Sequence, residues 1–314
     1  MAVSGGFDSV VLLDLFIHLK KLFHISFSIA HVNYNLRGQY STDEELYVKS
    51  LSELYGLKFY SISVNLNQII KEKKDSLENV ARNIRYDFFE KISLDHKYNK
   101  IVVAHNANDQ AETVLLKLIR GSISGLKGIE SKRLLSQCSK IEVIRPILCI
   151  SREQIIKYCK ANNLQPKTDL SNLENIYQRN RVRNTIIPIL IEENNNFLDL
   201  IQQTTKVISQ EDKYLEKIAE KEYQNVLIKK EISYIILDHK KVIIYEECLQ
   251  RRIFKYTLQE LTGDINSFAY KSLEAIKNSI KKGDSNKLIE LTNNYFFIKS
   301  KNKLIFSYGK FDDF

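Results

Sequence analysis

Apolar residues recur along the first half of the chain in two alternating rhythms. Short runs of strand character at 25–32 (ISFSIAHV), 57–64 and 101–104 are separated by stretches of helical spacing at 9–22, 42–55, 77–94 and 111–119. This alternation predicts an α/β fold with a parallel sheet and crossover helices, and a ligand site at the carboxyl ends of the strands. Only residues 1–3 precede the first loop, so either the opening strand is very short or the true start lies upstream.

A polar run at 192–196 (EENNN) marks a change of composition and divides the chain into domains of 1–191 and 192–314. Beyond it, Phe197, Leu200, Ile201, Thr204, Val207, Ile208, Leu215 and Ile218 form one face of a long helix. A strand-like ISYIILD follows, then a helix carrying Gln250-Arg251-Arg252 and another near 273–280. Alternating runs joined at Asn293-Asn294 and Lys301-Asn302 complete a small α+β module.

With 314 residues, 44% of them hydrophobic, the chain can bury a sizeable core, which excludes disorder as its main state. The net charge of +9 comes from 47 basic residues spread along the chain. That balance fits a polyanionic partner such as RNA, or equally a lysine-rich composition that solvates the surface. Cys138, Cys149, Cys159 and Cys248 form no C-x-x-C pair and have no histidine at zinc spacing, which excludes a disulfide scaffold and a zinc or iron–sulfur site. No apolar run reaches the roughly 18 residues of a membrane span and no secretory signal opens the chain, so it reads as soluble and intracellular.

The segment Ser4-Gly5-Gly6-Phe7-Asp8-Ser9 lies between a strand and a helix. Such a glycine-rich turn presents backbone N–H groups and the positive end of a helix to one point, the geometry of a phosphate site. Neither the lysine of a Walker loop nor the spacing of a dinucleotide fingerprint is present. Asp8 stands instead where phosphates would lie, and an acid is tolerable there when a cation bridges them, so the loop predicts Mg²⁺ with a polyphosphate. The alternative is a tight Ser/Gly turn with Asp8 capping a helix. Further on, Asp109 and Glu112 are three residues apart at the start of a helix. They are either neighbouring functional carboxylates or a capping box in which Asp109 accepts from the Glu112 amide.

The opening segment resembles the PP-loop signature of ATP pyrophosphatases, which cleave ATP between its α and β phosphates and transfer AMP to a carbonyl oxygen. Within that superfamily, the stretch AHNANDQAETVLLKLIRGSISGLKGI at 104–129 is similar to a segment of the tRNA(Ile)-lysidine synthetases. HVNYNLRG, LENVARNIRY, IRPILCISREQI and TDLSNLENIYQRNRVRNTIIPIL resemble further blocks of the same family in order, across most of residues 1–190. They carry Arg82, Arg85, Arg145, Arg152, Asp169, Ser171, Asn172, Tyr177, Arg179, Arg181 and Arg183. The chain departs from the family at Tyr34 and Asn35, where His and Gly are usual, at Asn106 for a second His, and at Asn108 for an acid. Asn35 still tolerates the positive φ that such a turn needs.

The resemblance implies a PP-loop, adenine nucleotide alpha hydrolase-like domain followed by a small α+β domain that docks tRNA, with Lys229, Lys230, Arg251, Arg252 and Lys255 as contacts. It also implies ligation of free L-lysine to the wobble cytidine of the CAU anticodon of tRNA(Ile) through an adenylated intermediate. ATP and Mg²⁺ would be held by Ser4, Gly5, Gly6, Phe7, Asp8, Ser9, His31, Arg85 and His105, with Asp8 on the metal. Asp109 and Glu112 would take ammonium groups, one of them acting as base, and Arg179, Arg181 or Arg183 would hold the lysine carboxylate or tRNA. For the arginine cluster, a solvated helix face is the alternative. A homodimer in a bacterial cytoplasm or plastid stroma is implied too, without the further C-terminal domain of longer members. Rival readings are another PP-loop enzyme, such as a tRNA thiolase, NAD synthetase or GMP synthetase, and a non-catalytic RNA-binding relative.

Overall fold

The computed structural model describes residues 1–73, 76–136, 139–167, 178–263, 270–282, 288–292 and 294–309. Asp169, Ser171, Asn172 and Tyr177, together with Cys138 and Asn293, lie outside the described residues. Contacts divide the chain into two units, Met1–Ser209 and Gln210–Phe314.

The first unit begins with α1 (Phe7–Phe23), β1 (Ile29–Asn33), α2 (Gln39–Leu54), β2 (Phe59–Ser63), α3 (Leu66–Lys73), α4 (Leu77–Asp95), β3 (Lys100–Val102) and α5 (Ala107–Ile119). Next come β4 (Lys132–Leu134), β5 (Glu142–Ile144), α6 (Arg152–Ala161) and α7 (Gln178–Arg181). A π-helical stretch (Val182–Ile186) then leads into α8 (Ile187–Glu193) and α9 (Phe197–Val226). β1 pairs in parallel with β2, and β3 with β5, while β4 is antiparallel to β5.

Residues 1–3 join these two sheets. The Ala2 N–H donates to the Val102 carbonyl (2.9 Å), the Ala30 N–H to that of Met1 (2.8 Å), and the Val3 N–H to that of Ala30 (3.0 Å). The backbone of residues 1–3 is held in place because strands on both sides satisfy its N–H and C=O groups. Neighbouring residues of β1 enter opposite layers: Ile29 packs with Val3, Leu12, Leu13 and Val102, and Ala30 with Tyr86, Phe89, Ile101 and Val143. Burial on both faces is the mark of a sheet covered by crossover helices.

The division between units falls inside α9 rather than at the polar run 192–196. The first turns of α9 explain this, since Phe197, Leu198 and Ile201 pack on Ala111, Leu116, Val182 and Ile187 of the first unit.

In the second unit, the rest of α9 is followed by β6 (Leu227–Lys230), β7 (Tyr234–Asp238), α10 (His239–Val242), α11 (Glu247–Thr262) and α12 (Tyr270–Lys282). β8 (Leu288–Thr292), β9 (Tyr295–Ser300) and β10 (Lys303–Tyr308) complete an antiparallel sheet of order β6-β7-β10-β9-β8. Its core joins Tyr223, Ile253, Phe254, Leu258, Phe297 and Phe306. The expected turn at Lys301-Asn302 is present, with Lys301 at φ 48°, and Asn294, the described half of the other, has φ 68°. Each basic residue singled out in this unit faces a carboxylate: Lys229 with Glu231, Lys230 with Glu260, Arg251 with Glu274, Arg252 with Asp212 and Lys255 with Glu216. Among the described residues, no helix is long and apolar enough to cross a membrane.

Candidate active site

Val3 runs straight into the glycine turn. Gly5 sits at φ +90°, and a Cβ added there would touch the side chains of Tyr47 and Val48 at 3.4 Å. Gly6 occupies the N-cap position of α1 and offers no side-chain cap, so amides of the first turn remain available to an anion. Ser9 shapes the loop from inside: its Oγ accepts the Ser4 N–H (3.2 Å) and donates to the Gly6 carbonyl (3.0 Å). Replacing Gly5 by Ala is expected to cost about 1–3 kcal/mol through the positive φ. Thermal unfolding measures the loss, and a variant as stable as the parent would contradict the geometry.

Asp8 does not cap the helix, contrary to the alternative expectation. It lies in the first turn of α1, and its Oδ1 accepts a hydrogen bond from Asn106 Nδ2 (3.0 Å). Burial, then the nearby Asp109 carboxylate, raises its pKa above the ordinary carboxylate value. A poorly solvated carboxylate that feels a second one suits a hard cation carried by a polyphosphate. Among the described residues no group of three or more His, Cys, Asp or Glu forms a metal cage, so any such ion would depend on phosphate oxygens for the rest of its shell.

A cavity of about 190 Å³ at the carboxyl ends of the parallel strands collects Ser4, Asp8, Ser9, His31, Arg85 and His105. A larger one, about 470 Å³ and lined by Phe16, Phe89, Ile92 and Ile101, is apolar and lies at the amino ends. His31 is buried with its Nδ1 2.9 Å from the Val3 carbonyl, which makes that nitrogen the donor. The loop after β1 turns at Asn35, whose φ of 50° is the one expected and whose N–H donates to Asn33 Oδ1 (2.9 Å).

His105 accepts from Arg145 Nε through Nδ1 (3.1 Å), so its proton resides on Nε2. Burial, then Arg145 and three further arginines, pushes its pKa down to about 3. The unfolded chain therefore binds a proton that the folded chain refuses, and stability falls as pH drops from about 6.5 towards 3. His105→Asn keeps an acceptor for Arg145 and cannot titrate. The loss of unfolding free energy between pH 7 and pH 4.5 is expected to be smaller in this variant by more than about 1 kcal/mol, measured by denaturant titration; identical losses would refute the assignment.

The acidic pair is built differently from the expected capping box. α5 starts at Ala107, immediately after the strand, and its N-cap is Asn106. The Asp109 N–H donates to Asn106 Oδ1 and the Asn106 N–H to Asp109 Oδ2, both at 3.0 Å. Asp109 is thus the third residue of the box, not its cap. Asn106 was noted in the sequence only as a departure from His, yet it links Asp8 to Asp109. An N-x-x-D spacing right after a strand was the signal for it.

Glu112 is fully buried and accepts from two guanidiniums, Arg179 Nε (2.8 Å) and Arg183 Nε (2.5 Å). Asp109 Oδ1 lies 3.3 Å from Arg183 Nη2 and 3.5 Å from Arg179 Nη2, and Arg179 also donates to Glu78 (2.9 Å). Burial opposes the charge of Arg179, but Glu112 outweighs it and holds the pKa above the ordinary value. Arg179 and Arg183 are one helical turn apart and converge. Arg181 stands about 200° around the helix and is exposed, so it does not join that face.

Comparison with known proteins agrees with this geometry. A family model described as a PP-loop domain matches residues 1–190. The chain is 34% identical over 307 residues to a tRNA(Ile)-lysidine synthase of Clostridioides difficile, covering 97% of this chain and 65% of that protein. It is 37% identical over 296 residues to one from Clostridium perfringens, covering 93% and 61%. It therefore spans somewhat less than two thirds of these curated relatives. Among solved structures, the U34-tRNA thiolase of Methanococcus maripaludis superposes with a TM-score of 0.55 at 20% identity, covering 66% of this chain and 71% of that one, a likeness of fold. The match across 1–190, together with an uncapped glycine turn opening at the carboxyl ends of parallel strands, means that the chain belongs to the PP-loop family.

Proposed function

We propose that the protein adenylates the wobble cytidine of a tRNA(Ile) bearing a CAU anticodon and then replaces AMP by free L-lysine, giving lysidine, AMP and diphosphate. The observation that carries this reading is Asn106, whose side chain bonds both Asp8 at the phosphate loop and the amide of Asp109 at the acid–arginine cluster. A nucleotide-activating site and an amino-acid-sized array of opposite charges are thereby joined in one element.

In the first step the carbonyl oxygen of the cytosine ring attacks the α phosphorus of ATP, and diphosphate leaves. The amides of Ser4–Ser9 take the charge that accumulates on the departing phosphates. Asp8 would hold Mg²⁺, which neutralises phosphate charge when bound. In the second step the lysine ε-amine attacks the activated carbon and AMP departs, so the oxygen leaves as a phosphate ester rather than as oxide.

Lysine binding follows from the way Asp109, Glu112, Arg179 and Arg183 hold one another. A zwitterion with an extra ammonium can enter such an array without stranding a charge: its carboxylate takes a guanidinium in a bidentate fork, and its ammonium groups take carboxylate oxygens. Glu112, with both oxygens engaged, orients the two arginines. Asp109 is the better base for the ε-ammonium because its Oδ1 faces the guanidiniums at the longer distances of 3.3 and 3.5 Å.

Incubation with ATP, labelled lysine and transcripts of isoleucine and methionine tRNA tests the reading. Lysine-dependent label in the isoleucine transcript alone is expected. Label in the methionine transcript, or in neither, would defeat it. Asp109→Ala is expected to retain adenylation and lose label transfer.

A further inference from the structure

Tyr86 on α4 is 8% exposed, and its hydroxyl is buried without a hydrogen-bond partner. Three guanidiniums surround the ring: Arg82 at 4.9 Å from its centroid, Arg133 at 5.0 Å and Arg85 at 5.7 Å. Burial raises the phenol's pKa, but Arg82 and then Arg145, itself 4% exposed, outweigh it and hold it below the ordinary value; Arg145 lies close to the oxygen, although neither it nor any other group meets strict hydrogen-bond geometry with it.

The acceptors these arginines do have are neutral. Arg145 donates to His105 Nδ1 (3.1 Å) and the Glu130 carbonyl (2.5 Å), and Arg133 to the carbonyls of Leu134 (2.9 Å) and Leu135 (3.3 Å). Among the described residues, none of the four forms an ion pair with a carboxylate, whereas Arg179 and Arg183 nearby are both paired. Four mutually repelling guanidiniums around a buried, unsatisfied O–H are costly unless an anion offsets them. A phosphate group supplies what is missing, because it accepts forked bonds from guanidiniums and a hydrogen bond from a phenol.

We propose that Arg82, Arg133, Arg145 and Tyr86, continuing from Arg85, form a binding site for a phosphodiester of the RNA strand next to the nucleoside being modified. Arg85 lines the cavity that holds the loop, whereas Arg82 lies three residues earlier on α4 and is exposed. The cluster therefore runs from the cavity outward. Diphosphate released from the loop amides would lie inside the cavity, and a strand that inserts one base leaves its backbone at the rim. The inference rests on the RNA-modifying reading above and adds to it where the strand is gripped.

The test measures binding of the isoleucine tRNA transcript to the full chain by fluorescence anisotropy between about 50 and 200 mM salt. Arg82→Gln/Arg133→Gln is expected to weaken RNA binding about tenfold and to reduce the slope of log affinity against log salt by about one, with ATP affinity unchanged. Tyr86→Phe, which removes no existing hydrogen bond, is expected to weaken RNA binding several-fold and to unfold at the same temperature as the parent. RNA affinity and slope equal to the parent in both variants would overturn the site. So would a loss confined to ATP or diphosphate, which would assign the cluster to the leaving group. If the parent chain itself bound no tRNA, the proposed function would fall as well; if the parent binds and the variants match it, only this inference fails.

Discussion

Asp8→Ala is expected to reduce ATP-dependent diphosphate release by about a hundred- to a thousandfold while leaving the fold intact. The carboxylate is poorly solvated and lies beside Asp109, so its negative charge is maintained at a cost that Arg152, Asn106 and Arg183 offset only in part and that a bound cation would recover. Removing it deprives Asn106 Nδ2 of an acceptor and at the same time removes the repulsion with Asp109, two effects of opposite sign. The unfolding free energy is therefore expected to stay within about 1 kcal/mol of the parent. Release rates within a few-fold of the parent would show that the acid has no part in handling phosphate charge.

Glu112→Ala is expected to act on stability first. Its carboxylate is fully buried between Arg179 and Arg183, whose side chains are 31% and 23% exposed. Taking away one partner of a buried ion pair leaves uncompensated charge and typically costs about 3–5 kcal/mol. Partial access of water to both guanidiniums places this case near about 3 kcal/mol. Glu112→Gln, which keeps volume and one acceptor, is expected to lose less. Denaturant midpoints for both variants, with unchanged dependence on denaturant concentration, check this. A loss below about 1 kcal/mol for the alanine variant would mean that the arginines do not depend on Glu112.

Part of the site was legible in the chain itself. The residues 4–9 carry their conformation locally, because only glycine is comfortable at the φ of +90° found at Gly5. Asn35 was read correctly for the same reason, its positive φ being a property of one residue. The longer helices were legible from their spacing, whereas α3 and α6 were not, and neither were the exact strand limits: the run 25–32 yields a strand only at Ile29–Asn33. The cap of α5 is Asn106, three residues before the Asp109 of the capping-box alternative, because N-x-x-D and D-x-x-E overlap in NANDQAE and nothing in the sequence says where the strand lets go.

By itself the sequence determined what depends on a few consecutive residues: the glycine turn at 4–9, the longer amphipathic helices, the turn at Lys301, and the residue types available for chemistry. Only the tertiary structure decided which of those residues meet. Asn106 reaches Asp8 across 98 positions, Arg183 reaches Glu112 across 71 and Arg145 reaches His105 across 40. Such pairings have no local signature, since charge and hydrogen-bonding capacity name no partner until crossover helices bring the strand ends side by side. The segment 1–3 is the plainest case: its residues name no partner, and its backbone is fixed by hydrogen bonds to Ala30 of β1 and Val102 of β3.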